Sequence, residues 1–213
     1  MNKIVIFGAG GFGREVKMLI DQINQHNKEY EFLGFYDDAV DKGVLVNGYI
    51  VLGTINDLLK IDYQLFVVIA VANPVVKKSI YDQLSTNLNL IYPTLIHPNV
   101  LFGGDNIIIG KGCVICSSNI ITVNITIGDF VILNFRCSVA HDTIIGDFCS
   151  VMPGVCISGD VTLKDLVYIG TGASIINLIS LGYSSIVGAG VTVSKNLPDK
   201  SQAIGLPPKI FPI

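Results

Sequence analysis

The sequence predicts a chain in two parts, a small parallel α/β unit over residues 1–92 and then a parallel β-helix over residues 93–213. Three observations carry that prediction. From Ile109 to Val193 every sixth residue is Ile, Leu or Val, fifteen in succession with no slip of register. Chance gives on the order of 10⁻⁷ for one chosen register. The first ninety or so residues instead alternate short apolar runs with helical patterns. Between the two, Tyr92-Pro93 to Pro98 carries two prolines and His97, a composition suited to a boundary.

Lys3 to Phe7 reads as a buried strand, followed by Gly8-Ala9-Gly10-Gly11-Phe12-Gly13 and an apolar-periodic helix from Arg14 to Ile23. Strand, glycine-rich turn and helix is the context that gives such glycines meaning. Bare backbone approaches a phosphate, and the helix N-terminus offers free N–H groups to the anion. A second strand, Phe32 to Tyr36, ends in Asp37-Asp38, where nucleotide folds place a carboxylate for a ribose hydroxyl. Ile50 to Gly53, a short helix from Asn56, a buried strand from Leu65 to Ala72, a helix from Pro74 to Leu84 and a strand at Leu90-Ile91 complete the unit. Alone, this half points to a dinucleotide-dependent oxidoreductase. A dinucleotide site needs two such halves, however, and the pattern ends near Tyr92. A half-Rossmann-like domain for a mononucleotide-type ligand fits the length. The glycines also admit a structural reading, packing the helix on the strand.

Period six fits neither a helix repeating at 3.6 nor a strand alternating at 2. It fits a chain that turns a corner after each short strand and returns one aliphatic side chain to a central axis. Three sides make a coil of eighteen residues, and about five coils at ~4.8 Å spacing give a prism roughly 24 Å tall. Glycine or another small residue follows many of the aliphatics, as at Gly110, Gly128, Gly146, Gly170, Gly182 and Gly188. The expectation is that these glycines supply positive φ at the corners. Small or β-branched residues at the fifth position, such as Cys113, Val131, Cys137 and Cys149, fill a second inward place. An irregular link through Gly103-Gly104-Asp105 leads into the repeat. Lys195 to Ile213 abandons it, and four prolines there favour an extended tail.

Half the residues are apolar, 15% are charged and the net charge is −3, with no basic block, so nucleic acid is not an expected partner. No apolar run approaches the ~18 residues of a membrane span. The start lacks the apolar region and cleavage site of a signal peptide, which points to the cytoplasm. The five cysteines match no zinc spacing. An odd number in a reducing compartment argues for core filling over disulfides, and no metal is indicated.

Taken together, Phe7-Gly8-Ala9-Gly10-Gly11-Phe12-Gly13-Arg14-Glu15, Gly34-Phe35-Tyr36-Asp37-Asp38 and a hexapeptide repeat containing His141-Asp142 resemble the sugar O-/N-acyltransferase family over essentially the whole chain. Its members include N-acetyltransferases of nucleotide-linked amino sugars and sialic acid O-acetyltransferases. The resemblance implies a left-handed β-helix that holds acetyl-CoA, an N-terminal domain that holds a nucleotide sugar, and a homotrimer with active sites between neighbouring prisms. By the same resemblance Gly8, Gly10, Gly11 and Gly13 form the phosphate turn, Asp37 and Asp38 reach the nucleoside, and Asn73 contacts the acceptor.

The chemistry points to His141. It is the only histidine within the repeat and lies off the aliphatic stripe. Acyl transfer from a thioester needs a base for the acceptor's proton, and imidazole titrates in the right range. Asp142 is placed to fix the tautomer, or to touch the acceptor. The resemblance adds Asn134 beside the base and the backbone N–H of Gly159 as oxyanion donor. It also implies a coenzyme wall that includes Ser150, Gly170 and Gly188, with Lys195 and Lys209 near the phosphates. His26 and His97 read as structural or solvent-exposed.

Two departures from the family pattern stand out. Ser150 replaces a second histidine in the coil after His141, and Leu206 replaces a polar residue near the C-terminus. The expected activity is acetyl-CoA-dependent N-acetylation of a nucleotide-linked amino sugar in bacterial surface-glycan synthesis. O-acetylation of sialic acid or another sugar is the alternative within the family. A non-catalytic nucleotide-sugar-binding trimer is the alternative outside it.

Overall fold

Apolar spacing sets the first domain. The structure is a computed structural model and describes residues 1–205. Its elements are β1 (Asn2–Phe7), α1 (Gly11–His26), β2 (Tyr30–Tyr36), β3 (Leu45–Val46), β4 (Tyr49–Gly53), α2 (Ile55–Leu58), β5 (Leu65–Ile69), α3 (Pro74–Leu84) and β6 (Leu90–Ile91). Helix α1 buries Val16, Leu19, Ile20 and Ile23 on one stripe, the spacing of a helix face on a sheet. The six strands run in the order β3-β4-β2-β1-β5-β6. All pairs are parallel except β3–β4, a hairpin that the sequence reading missed. Its turn is Asn47-Gly48, with φ of 49° and 82°, the conformation that this dipeptide favours in two-residue hairpins.

The repeat builds three parallel ladders. The first contains Leu95–Ile96, Val114–Ile115, Ile132–Leu133, Ser150–Val151, Tyr168–Ile169, Ile186–Val187 and Gln202–Ala203. The second runs from Leu101–Phe102 to Thr192–Val193 in six strands, and the third from Ile107–Ile109 to Ser180–Leu181 in five. From Ile107 to Val193 successive rungs pair eighteen residues apart, as Ser138↔Cys156 and Val139↔Ile157 do. The aliphatic stripe and the fifth-position residues Cys113, Val131, Cys137, Cys149, Val155 and Val161 form the dry interior.

The prism is longer than the strict hexad. Leu95–Ile96 already pairs with Val114–Ile115, and Leu101–Phe102 with Ile120–Ile121, so the Gly103-Gly104-Asp105 link lies inside the coil. At the other end Gln202–Ala203 pairs with Ile186–Val187, which adds a rung within the segment expected to be tail. Seven rungs at the inter-strand spacing reach about 29 Å.

The corners also differ from expectation. Positive φ falls at the fourth position of every unit from Asn106 to Gly190, including Asn124, Phe130, Arg136, Asp142, Phe148, Asp160 and Leu178. It does not fall at the glycines of the second position. Those glycines serve coil stacking instead. A Cβ on Gly110 would lie 2.6 Å from the carbonyl carbon of Gly128 in the next coil, and one on Gly170 would lie 2.6 Å from the Ala189 nitrogen.

The first domain packs on the outer face of the first ladder. Leu95, Val114 and Ile132 join the α1-side core with Ala9 and Val16. On the other side Phe130, Phe148 and Leu166, successive corner residues, join the core below α3. The Phe130 and Phe148 rings stack at 5.0 Å and 4°, and Tyr81 of α3 sits 4.3 Å from Phe130 and 5.7 Å from Phe148. These contacts bury aromatic area that outweighs the cost of left-handed backbone.

Candidate active site

His141 follows the strand Ser138–Val139, at the corner that joins the second and third ladders. Its side chain is 56% exposed, and that of Asp142 is 46% exposed. Neighbouring residues rarely face each other, but the left-handed Asp142 (φ 58°) folds its carboxylate back under the ring. His141 Nδ1 lies 2.8 Å from Asp142 Oδ2. Asn124 Nδ2 donates to the other carboxylate oxygen at 2.9 Å. The hydrogen bond from His141, then that from Asn124, hold the Asp142 carboxyl below the usual range. With Nδ1–H engaged by the carboxylate, Nε2 is left as the proton acceptor.

One coil further on, Gly159 lies beneath the imidazole. A Cβ there would sit 2.9 Å from His141 Nδ1 and closer still to Cε1 and Nε2. Only glycine leaves room for the ring in this position. The Gly159 N–H donates no hydrogen bond among the described residues. Asp160 completes the corner, and ligand atoms of His141, Asp142 and Asp160 lie within 4.8 Å of one another, all three residues being exposed.

A second constellation forms at the carboxyl edge of the parallel sheet. The strand order reverses direction between β1 and β5, and such a switch point opens a crevice for ligands. The turn after β1 and the segment after β5 meet there, since a Cβ on Gly8 (φ 108°) would lie 2.9 Å from the Ala70 carbonyl oxygen. Gly13 is equally constrained by the Gly8 backbone, whereas Gly10 has nothing within 4 Å of its Cβ position. Packing therefore requires Gly8 and Gly13, and leaves Gly10 open. A cleft of about 430 Å³ lined by Gly11, Arg14, Glu15, Met18 and Asn47 borders that turn. Another, of about 410 Å³, runs from Ala72, Asn73 and Pro74 to Tyr168 and Ile186 of the prism.

The comparisons with known proteins reach both parts of the chain. A family model described as the PglD N-terminal domain covers residues 3–84. A GDP-perosamine N-acetyltransferase of Escherichia coli O157:H7 is 35% identical over 208 residues, 96% of this chain and 84% of that protein. The chain belongs to the sugar O-/N-acyltransferase family. WeeI from Acinetobacter baumannii AYE is similar at a TM-score of 0.85 and 32% identity, covering 96% of this chain and 97% of that one. The acetyltransferase domain of PglB from Neisseria gonorrhoeae FA1090, solved in complex with acetyl coenzyme A, is similar at 0.82 and 29% identity, covering 95% and 96%. The prism is the left-handed parallel β-helix of this fold, and the protein is an acyltransferase.

The remaining expected site residues of this acyltransferase fall in several places. Asp37 Oδ2 accepts from the Ala9 N–H at 2.7 Å and Oδ1 from that of Ala39 at 2.7 Å, so Asp37 braces the glycine turn. Asp38 Oδ1 accepts from the Ile55 N–H at 2.9 Å, at the start of α2. Asn73 caps α3, its Oδ1 accepting from Val75 and Val76 at 3.0 and 3.1 Å, while it lines the cleft that runs to the prism. Asn134 is nearly buried at the corner after the first ladder, a different corner from that of His141; its Oδ1 accepts from Phe135 N–H at 2.8 Å. Gly188 has only ordinary contacts, Lys195 is exposed near the end of the prism, and Lys209 and Leu206 lie outside the described residues.

Ser150 departs most from its expected place. It is fully buried on the first ladder, under the first domain, where its hydroxyl accepts from Lys77 Nζ at 2.9 Å. The chain itself therefore occupies the hydroxyl expected to face the coenzyme. Lys77 also donates to the Cys149 carbonyl at 3.2 Å. Burial pushes its ammonium down to about 7, and pushes the neighbouring Cys149 thiol up to about 12. Sequence reasoning passed over Lys77, because a lysine in a helical pattern reads as a solvated position. The aromatic corner was equally silent, since phenylalanine is not a residue expected at positive φ. Four cysteines are buried as core filling implies, and Cys156 is exposed. No helix among the described residues is long and apolar enough to cross a membrane.

Proposed function

We propose that the protein transfers the acetyl group of acetyl-CoA to the amine of a nucleotide-linked amino sugar, with His141 as general base. The supporting observation is the imidazole held between Asp142 and the bare backbone of Gly159. The sugar amine attacks the thioester carbonyl, a C–N bond forms and the C–S bond breaks. The proton lost by the nitrogen passes to His141 Nε2 and then to the departing CoA thiolate. Asp142 fixes the tautomer and balances the imidazolium. The Gly159 N–H, which has no partner among the described residues, is the donor for the developing oxyanion.

The first domain holds the nucleotide sugar at its switch-point crevice, with phosphates at the Gly10-Gly11 turn and helix start. The relatives named for GDP-perosamine and acetyl coenzyme A support both substrate classes. A three-sided prism places the corner between two faces opposite the third. The first domain sits on the first ladder, and His141 lies at the corner between the other two. That geometry favours an acceptor presented to His141 by a neighbouring copy, hence the homotrimer. Lys195 is left for the coenzyme phosphates, and surface-glycan synthesis in the cytoplasm is the setting.

The test is CoA release measured with UDP-, dTDP-, GDP- and CMP-linked amino sugars and their hydroxyl counterparts. Turnover of an amino sugar that is lost in His141→Ala is expected. Acetylation of only the hydroxyl sugars would overturn the N-acetyl reading.

A further inference from the structure

We propose that Asn124 is a positioning residue for acyl transfer, aiming the Asp142 carboxylate at His141 from the preceding coil. The inference rests on the reading of His141 as the base. Asn106, Asn124 and Asp142 occupy one corner in three successive coils, eighteen residues apart, with φ of 50°, 55° and 58°. Identical backbone stacks their side chains into a column. Asn106 Nδ2 donates to Asn124 Oδ1 at 3.0 Å, and Asn124 Nδ2 donates to Asp142 Oδ1 at 2.9 Å. Asp142 Oδ2 then meets His141 Nδ1 at 2.8 Å.

The direction of this column is fixed by chemistry. A carboxylate only accepts, so the Asn124 amide must turn its NH₂ toward Asp142 and its oxygen toward Asn106. An amide that donates on one side and accepts on the other is what the column needs at this step. The His141–Asp142 pair is about half exposed, and an exposed hydrogen bond between mobile side chains is weak on its own. Pinning one carboxylate oxygen leaves the other pointing at the imidazole. Asp160, the next member of the column, is a carboxylate within 4.8 Å of both and has no hydrogen to give. Asn124 is thus the only side-chain donor to Asp142 besides His141 among the described residues.

Asn124→Gly removes the amide while accepting the same φ, and Asn124→Asp keeps the shape but replaces the donor with a third carboxylate beside Asp142 and Asp160. With the acceptor that the wild type turns over, Asn124→Gly is expected to lower kcat about tenfold, the scale of a misaligned catalytic group. KM for acetyl-CoA is expected to stay within about twofold. Added to Asp142→Asn, the same change is expected to cost less than about twofold, because its route through Asp142 is already gone. In an NMR titration without substrate, the His141 imidazole midpoint is expected to rise in Asn124→Asp and fall in Asn124→Gly. Additive losses in the double variant, or a midpoint unmoved in both single variants, overturn the inference. Full activity of His141→Ala overturns the underlying reading instead, and leaves the titration to decide whether Asn124 orients the pair.

Discussion

Two corners of the prism share one backbone and carry opposite chemistry. At both, the fourth residue of each unit is left-handed, and successive members lie eighteen residues apart. One column runs Gly112, Phe130, Phe148, Leu166, Ser184; its aromatic members are buried and hold the first domain through Tyr81. The other runs Asn106, Asn124, Asp142, Asp160, Leu178, exposed and polar as far as Asp160, and carries His141. Backbone strain that one column offsets by burial is offset in the other by residues that tolerate positive φ and bond along the stack. The same structural device gives a joint on one edge and an exposed polar ladder beside His141 on another.

The sharpest break of this comparison removes the chemistry from the polar corner. His141→Ala is expected to lower kcat/KM by about 10²–10⁴, the range of a general base, with Tm unchanged because the side chain is exposed. The aromatic corner is expected to respond in the reverse sense. Phe130→Ala removes a ring that is 1% exposed and should cost about 3–5 kcal/mol in urea unfolding. KM for acetyl-CoA is expected to stay within about twofold.

The joint also carries a pH signature of its own. Lys77 titrates near 7 in the fold against its ordinary 10.5. Between those values the unfolded chain holds a proton that the native amine has released, so stability rises with pH across that window and is level below it. The full slope is about 1.4 kcal/mol per pH unit, an order-of-magnitude figure for so buried a group. Denaturation between pH 7 and 9.0, below the range in which the raised buried thiols oppose the amine, is expected to show the rise in wild type and its absence in Lys77→Met.

Gly159→Ala sharpens the comparison within the polar corner. A methyl group would displace the imidazole without entering the core, and kcat is expected to fall about 10–100-fold at nearly constant Tm. The smallest effect belongs to Leu178, the end of the same column, 72% exposed at φ 62° with neither burial nor ladder to offset its conformation. Leu178→Asn is expected to gain about 0.5–1 kcal/mol with activity unchanged.

The aliphatic stripe was legible in the sequence, while the joint between domains was not. An aliphatic every six residues has a single geometric solution, and His141 is the one histidine between Ile109 and Val193, off that inward stripe. The true corner position hid because its residues are mixed: Asn, Asp, Phe, Leu, Ser and Arg share φ but no side-chain property. The eye went instead to the second-position glycines, whose absent Cβ answers to the next coil. The terminal rungs escaped because they fall off the eighteen-residue register: Leu95 pairs with Val114, nineteen residues on, and Gln202 with Ile186, sixteen residues back. Ser150 was read as facing outward to a ligand. It does face outward, but the prism's outer face there is covered by the chain's own first domain.

The eighteen-residue coil makes sequence length an angular quantity. Because the interior rungs pair at that spacing, adding or removing one whole coil there moves His141 along the axis relative to the docked domain and keeps its compass bearing. Losing six residues between them instead turns everything downstream by one face, about a third of a revolution, while every hexad still reads correctly. The distance between the docked domain and His141 therefore changes in steps of one rung, with only three bearings from which to choose.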